Sequence, residues 1–559
     1  MGGPVQARAW SPRLASADRP AKRRCMAEGW NYADIWEAVA DRFPDETAQI
    51  TDDRTITWGD FSARADGVAL ALVEAGLGRQ GKVAQYLYNC PEFLESMFGC
   101  FKAGLAPVNT NYRYTDDELE YLWDNADAEA VVFHAEFAET CDRLRVRLPN
   151  VRAWICVGGP ALCPPWAAPY EEVARGAHAR VTAPHGRSGD DLYLIYTGGT
   201  TGSPKGVMWR QDDLFQKLEA MNGRVVSTDA DAVGYVGRLA HAGPRVLPAA
   251  PLMHGTAAWF ALQNLCQAGS TFTLPNGGFD PAVLLRSISE YRIKGMAIVG
   301  DAFAKPILAE LEANPDRYDL SSLRVIISSG VMLSSDSKQR LHSHVPKLIL
   351  VDSLGASESG GIGKSTTTDA DTATFEVSSY VRVIDDSGND LSGEVGGVGR
   401  LAVGGHLPLG YYKDPEKSAT TFVELGGRRH VITGDLAEIQ ADGSIRLLGR
   451  GSNCINTGGE KVYPEEVEEA LKLHPDVRDA AVIGLADERF GEAVTAIIEL
   501  RPGAQVGDDQ LVAHVKEHLA GYKAPKSIVR LDSIQRQANG KVNYQLLKTL
   551  ALRSLAGPS

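Results

Sequence analysis

The sequence predicts an α/β protein. A large N-terminal domain of mostly parallel, helix-covered sheets carries an antiparallel β subdomain, and a small α+β C-terminal domain follows. Three observations predict this. Strand and helix patterns alternate through the N-terminal half, turn-rich alternation runs from Tyr380 to Leu447, and a break at Gly449-Arg-Gly-Ser-Asn453 precedes a compact βα pattern.

In order, Thr55–Trp58 reads as a strand, and Phe61, Ala65, Val68 and Leu72 then mark one face of a helix that stops at Gly76. Val83–Leu87 is the next strand. Pro91 opens a helix with Phe93, Leu94, Met97, Phe98 and Phe101 inward, Gly104 ends it, and Ala106–Val108 returns as a strand. Similar units recur around Lys294–Val299, Leu323–Ser328 and Leu348–Val351, a rhythm that implies a mostly parallel sheet. Past the break, a helix begins at Tyr463-Pro464, followed by strands Ala480–Leu485 and Val494–Leu500, a helix from Asp508 and a strand Ser527–Leu531. The expected division is an extension over 1–25, a large domain over 26–450 and a small one over 451–559.

A chain of 559 residues exceeds what one core supports, and 44% apolar with 23% charged residues is ordinary globular composition. The formal charge of −14 argues against nucleic acid as a partner. The eight cysteines include no C-x-x-C pair, which suits a reducing compartment and a cytoplasmic protein. The most apolar region, Leu247 to Leu265, is broken by Pro248, Pro251, His254 and Gln263, so no membrane span is expected, while peripheral contact stays open. Residues 1–25 carry Arg8, Arg13, Arg19, Lys22, Arg23 and Arg24 without an apolar stretch, which excludes a secretory signal. The Arg- and Ala-rich composition leaves a transit peptide conceivable, but a disordered extension or an upstream start is the favoured expectation, with Met26 as a natural beginning of the folded part.

The densest chemical signal is Tyr196-Thr-Gly-Gly-Thr-Thr-Gly-Ser-Pro-Lys-Gly206, directly after the apolar strand Leu192–Tyr196. Glycines let backbone N–H groups approach a phosphate, hydroxyls add donors, and Lys205 adds a point charge. Pro204 before the lysine and Gly206 after it exclude a Walker A loop. A flexible surface turn is the bland alternative.

This wording resembles the adenylate-forming superfamily of acyl-CoA synthetases, aryl-CoA ligases, stand-alone adenylation domains and luciferases. Further landmarks follow in the family's order, from about Trp30 to Lys548. The resemblance implies ATP, Mg²⁺ and CoA as reactants and cofactor, and a small domain that rotates during the cycle. It assigns Thr197, Gly198, Gly199, Thr200, Thr201, Gly202 and Lys205 to the phosphates. In Asp352-Ser-Leu-Gly-Ala-Ser-Glu358, it places Ser353, Leu354, Gly355, Ala356 and Ser357 beside the nucleotide and Glu358 on Mg²⁺. Leu354 stands where the family has an aromatic, and Ser357 where it has threonine. Gly330 and Val331 match the segment framing adenine, and Asp435 and Arg450 match the pair on the ribose. Lys541, in Asn539-Gly-Lys541, matches the terminal lysine that bridges carboxylate and α-phosphate, an electrostatic role. Ser452 falls at the hinge, where the family carries Asp or Lys, and Gly458, Gly459 and Lys461 belong to the CoA face.

His254, in Pro251-Leu-Met-His-Gly255, matches a histidine at the mouth of the acyl pocket, and Val299, Gly300 and Gly330 are expected along it. Small residues there leave room for a large apolar acid. Val299-Gly-Asp-Ala-Phe303 and Met208-Trp-Arg210 resemble bacterial synthetases for fatty acids or bulky sterol-side-chain acids. The expected reaction joins a carboxylic acid to CoA through an acyl adenylate, with Lys541, Glu358 and His254 in the chemistry. An enzyme loading a carrier protein and a non-catalytic nucleotide or acyl sensor are the alternatives, and a homodimer is left open.

Overall fold

The computed structural model describes residues 29–555, apart from 53, 200–201, 225, 227–230, 276–278, 331–332, 367–373, 451–454, 458–459, 488–490, 520 and 537–541. The expected extension over 1–25 lies outside the described residues.

The first sheet places Lys82–Tyr86, Ala106–Asn109, Ala128–His134 and Ala153–Val157 in parallel, as the βαβ rhythm requires. Leu192–Gly199 joins Ala106–Asn109 in parallel. The intervening helices follow their sequence signals closely. Trp58–Glu74 is capped by Thr57, whose hydroxyl accepts from the Asp60 amide, so Trp58 opens a helix rather than closing a strand. Pro91–Ala103 has Pro at its start, Gly104 in the left-handed region at its end, and every residue buried. Its Gly99 lies so close to the Trp58–Glu74 helix that a Cβ there would come within 2.8 Å of Val68. That contact sets the spacing of the two helices.

The second sheet has a parallel centre of Arg245–Pro248, Gly295–Ile298, Val325–Ser329 and Ile349–Ala356. Antiparallel pairing begins at Gly360–Ser365, before the expected Tyr380. Thr374–Val377 then joins the sheet without a break to Ile445–Arg450, Arg428–Ile439, Val398–Val403 and Val381–Ile384. The antiparallel subdomain is therefore an extension of the parallel sheet. The cause is the tight turn at 357–359, which folds the chain back on the strand it has just left.

The C-terminal region pairs Val477–Asp487 with Gly491–Leu500 and adds Ser527–Arg530 in parallel. Helices Pro464–Lys472, Asp508–His518 and Tyr544–Leu555 cover it and bury two apolar clusters of its own. It touches the large region through polar groups: Lys305 Nζ donates to the Arg478 carbonyl at 2.7 Å. Glu469 faces Asp301, Lys338 and Lys472, and its carboxyl is raised, chiefly by burial.

Candidate active site

The glycine-rich segment is not a free loop after a strand but the tip of a hairpin. Leu192–Gly199 and Gly202–Arg210 pair antiparallel, with Tyr196 opposite Gly206, Thr197 opposite Lys205 and Gly199 opposite Gly202. Gly206 is obligatory: a Cβ would come within 2.6 Å of the Tyr196 ring. Asn109 fixes the base of the hairpin. Its amide donates to the carbonyls of Tyr196 (2.9 Å) and Met253 (2.6 Å), and its Oδ1 accepts from the Tyr196 N–H at 2.6 Å. Asn89 does the same for the next stretch, donating to the carbonyls of Pro248 and Ala250 and accepting from the Leu252 amide. These two asparagines hold the segment leading to His254. His254 itself is half-buried at the N-cap of helix Gly255–Cys266, its amide on the Pro251 carbonyl.

The second hairpin strand has another neighbour. Leu409 and Tyr412 donate to the carbonyls of Met208 and Gly206, and Met208 donates to that of Gly410. This pairing brings in two side chains that sequence reasoning missed. Asp414 accepts from Lys205 Nζ at 2.7 Å, and that lysine holds its carboxyl below the usual range. Tyr411 donates to Glu358 Oε1 at 2.9 Å; burial first, and then Glu358, pushes its phenol up. The lysine expected on phosphate and the carboxylate expected on metal are thus anchored from one short segment. Trp209, on the same strand, donates its indole N–H to the Ser357 carbonyl at 2.8 Å.

Glu358 lies in the middle of the turn at 357–359 that links Ile349–Ala356 to Gly360–Ser365. Ser353 in that strand pairs with Ser329 of Val325–Ser329, which sets Gly330 beside it. Gly330 has φ +90°, and a Cβ there would meet Val299 at 3.7 Å. The Gly300 amide donates to Ser328 Oγ, so Val299, Gly300 and Gly330 converge at the ends of two neighbouring strands, where ligands of open α/β sheets bind. Gly355 and Ala356 pair with Gly361 and Gly360, and the Leu354 side chain packs into the core. Asp435, buried, lies directly opposite Arg450 across the antiparallel pair of Arg428–Ile439 and Ile445–Arg450. The two positions expected to act together are thus neighbours in register.

Lys461 lies in the short strand Glu460–Val462. Thr200, Thr201, Val331, Ser452, Gly458, Gly459 and Lys541 lie outside the described residues. Glu358 offers a hard oxygen donor of the kind Mg²⁺ takes, and Tyr411 fixes one of its two oxygens. The residues fit that ion.

The chain matches the AMP-binding enzyme family over residues 36–412 and the AMP-binding enzyme C-terminal domain over 466–541. It is 37% identical to a medium/long-chain-fatty-acid–CoA/3-oxocholest-4-en-26-oate–CoA ligase of Mycolicibacterium smegmatis, covering 93% of this chain and 96% of that protein. It is 38% identical to a 3-oxocholest-4-en-26-oate–CoA ligase of Rhodococcus rhodochrous, over 93% and 95% of the two chains. The crystal structure of ATP-bound MatB from Rhodopseudomonas palustris superposes with a TM-score of 0.77 at 26% identity, covering 93% and 99%. These matches show that the chain belongs to the AMP-binding enzyme family of the adenylate-forming superfamily, as an AMP-forming acyl-CoA synthetase.

Proposed function

We propose that this synthetase activates a fatty acid or a bulky, sterol-side-chain-like acid. The acid carboxylate attacks the α-phosphorus of ATP and pyrophosphate leaves; the CoA thiolate then attacks the acyl carbon, releasing AMP. The observation that carries the reading is the anchoring of Lys205 and Glu358 by Asp414 and Tyr411 of one segment, which sets a cation and a hard carboxylate at a common place.

Each residue then has a task. Backbone amides of the hairpin and Lys205 hold the β- and γ-phosphates, with Lys205 exchanging Asp414 for a phosphate oxygen. Glu358 would hold Mg²⁺, which supplies charge neutralisation to the polyphosphate. Asp435 and Arg450 take the ribose, since a carboxylate offers a diol two acceptors without requiring a proton. Lys541 stabilises charge developing at the α-phosphorus. Rotation near Ser452 then exchanges that lysine for the CoA face of Gly458, Gly459 and Lys461. The acid lies between His254 and the strand ends at Val299, Gly300 and Gly330. The bulk of the acid is supported by the resemblance to ligases named for a cholestenoate, and by the small residues at those strand ends.

The test is pyrophosphate release from ATP with a panel of fatty and polycyclic acids, followed by mass analysis with CoA or a carrier protein as acceptor. Acid-dependent release and an acyl-CoA mass are expected. Acyl transfer to the carrier alone would move the chain to the carrier-loading class, and no acid-dependent release would leave a sensor.

A further inference from the structure

Helix Gln211–Met221 begins directly after the hairpin strand that carries Lys205. It packs against Gly360–Ser365, which starts two residues past Glu358, and against helix Gly255–Cys266, which starts one residue past His254. Lys217 projects from its middle. The side chain is 1% exposed, and Nζ, itself buried, makes no hydrogen bond. Among the described residues no carboxylate lies within ion-pairing distance of it, and Nζ sits over the face of the Tyr380 ring, 4.3 Å from its centre.

The placement is built. A Cβ on Gly360 would come within 3.0 Å of the Lys217 Cγ, so the lysine stem lies flat along a backbone left bare for it. Gly361 is bare in the same way for Met221. The second helix contributes a similar orphan: the Trp259 indole N–H is buried without an acceptor, and its ring lies against Gly255 and Trp209. A buried donor left unpaired costs on the order of 1–3 kcal/mol, and a charged one more. Burial accordingly lowers the Lys217 ammonium to about 8. The Tyr380 ring face offsets part of that cost for Lys217, but neither donor has an acceptor among the described residues.

The Lys217 ammonium donates and does not accept, so the partner that matches it is an oxygen that only accepts. A hydroxyl would bring a proton with no place to go; a carbonyl oxygen would not. We infer that Lys217 is a specificity-determining residue that receives a carbonyl oxygen carried on the apolar body of the acid, remote from the carboxylate that is activated. A ketone and a second carboxylate share that chemistry. The inference rests on the reading of this site as an acyl-activating pocket.

The test compares three acids of one carbon skeleton: the plain acid, the same acid with a remote ketone, and the same acid with a remote carboxylate. Pyrophosphate release gives kcat/KM for each with the wild type, Lys217→Met and Lys217→Gln. The wild type is expected to favour one oxygenated acid over the plain one by about 10-fold or more, since an unpaired buried donor penalises the analogue that lacks the acceptor. Which oxygenated acid leads tells ketone from carboxylate. In Lys217→Met the ratio collapses to about 1 through the KM for the acid, and Lys217→Gln, which keeps a donor, restores part of the preference. A merely structural lysine would lower all three acids alike, and an unchanged ratio in Lys217→Met overturns the inference. Should both variants fail to fold, the shift in wild-type melting temperature decides: the oxygenated acid must stabilise more than the plain one. Wild-type turnover of the panel without discrimination overturns the role of Lys217 and leaves the ligase reading standing, whereas absence of turnover with every acid overturns the ligase reading itself.

Discussion

Two lysines are equally hidden in this molecule and are treated in opposite ways. Lys102, in the Pro91–Ala103 helix of the first sheet layer, is fully buried and donates to Glu37 (3.1 Å), Ser62 (3.0 Å) and Asp66 (2.8 Å). All three of its protons are spoken for. Its partners are held in turn: Arg187 binds Glu37, and Asp66 accepts the Val181 amide. Lys217, beside the site, has an aromatic face and no acceptor. A scaffold satisfies its buried charges internally, whereas a binding site leaves some unsatisfied for a ligand to complete.

That contrast can be broken, first and most strongly, at Lys102. Lys102→Met leaves Glu37 and Asp66 buried beside an apolar stem, and a loss of about 3–5 kcal/mol in unfolding free energy is expected from urea titration. A loss under about 1 kcal/mol would mean that Arg187 alone can carry the cluster. Lys205 tests the opposite pole, a lysine proposed to hold phosphate. Lys205→Ala is expected to lower kcat/KM for ATP by about 10²–10³, the usual scale for removing one donor aimed at developing charge. Its melting temperature should hardly move, because the pair with Asp414 is partly exposed and Asp414 keeps the Lys417 amide as a helix cap.

Lys217 comes next in size. Lys217→Met removes an unpaired buried amine and should leave the unliganded protein as stable as the wild type or slightly more so. The sign of its pH dependence follows from a folded value of about 8 below the ordinary 10.5. Between those values the unfolded chain binds more protons, so wild-type stability should rise relative to the variant as pH goes from about 8 to 10. A flat difference in melting temperature over that window would show that Lys217 finds a partner. The smallest effect is expected at Glu469, whose raised carboxyl favours the neutral form when the two regions touch. That contact is favoured below the ordinary carboxylate range and is penalised as pH rises through it. Glu469→Gln should therefore protect helix Pro464–Lys472 from hydrogen exchange slightly at neutral pH, by less than about 1 kcal/mol.

Much of this was legible in the chain. Pro91–Ala103 announced itself by proline, periodic apolar residues and glycine, and the parallel units at 294–299, 323–328 and 348–351 all fall in one sheet. What local pattern could not supply was pairing. Gly202–Arg210 hid as a strand because Pro204 and two glycines break its alternation. Asp435 and Arg450 were readable as letters, but their opposition depends on register. Tyr411, Asp414, Asn89 and Asn109 matter only through partners far along the chain. Lys217 reads as one more polar residue of a charged helix, and only packing reveals that nothing answers it.

The pair of Lys205 and Asp414 has a consequence for nucleotide binding in salt. Under the proposed role, phosphate binding at Lys205 would be an exchange of anions, the resident Asp414 carboxylate for an incoming phosphate, rather than the capture of an anion by a bare cation. Added electrolyte screens the outgoing contact as well as the incoming one. ATP affinity should therefore decline with ionic strength less steeply in this protein than in Asp414→Asn, whose lysine would meet the phosphate without a competitor.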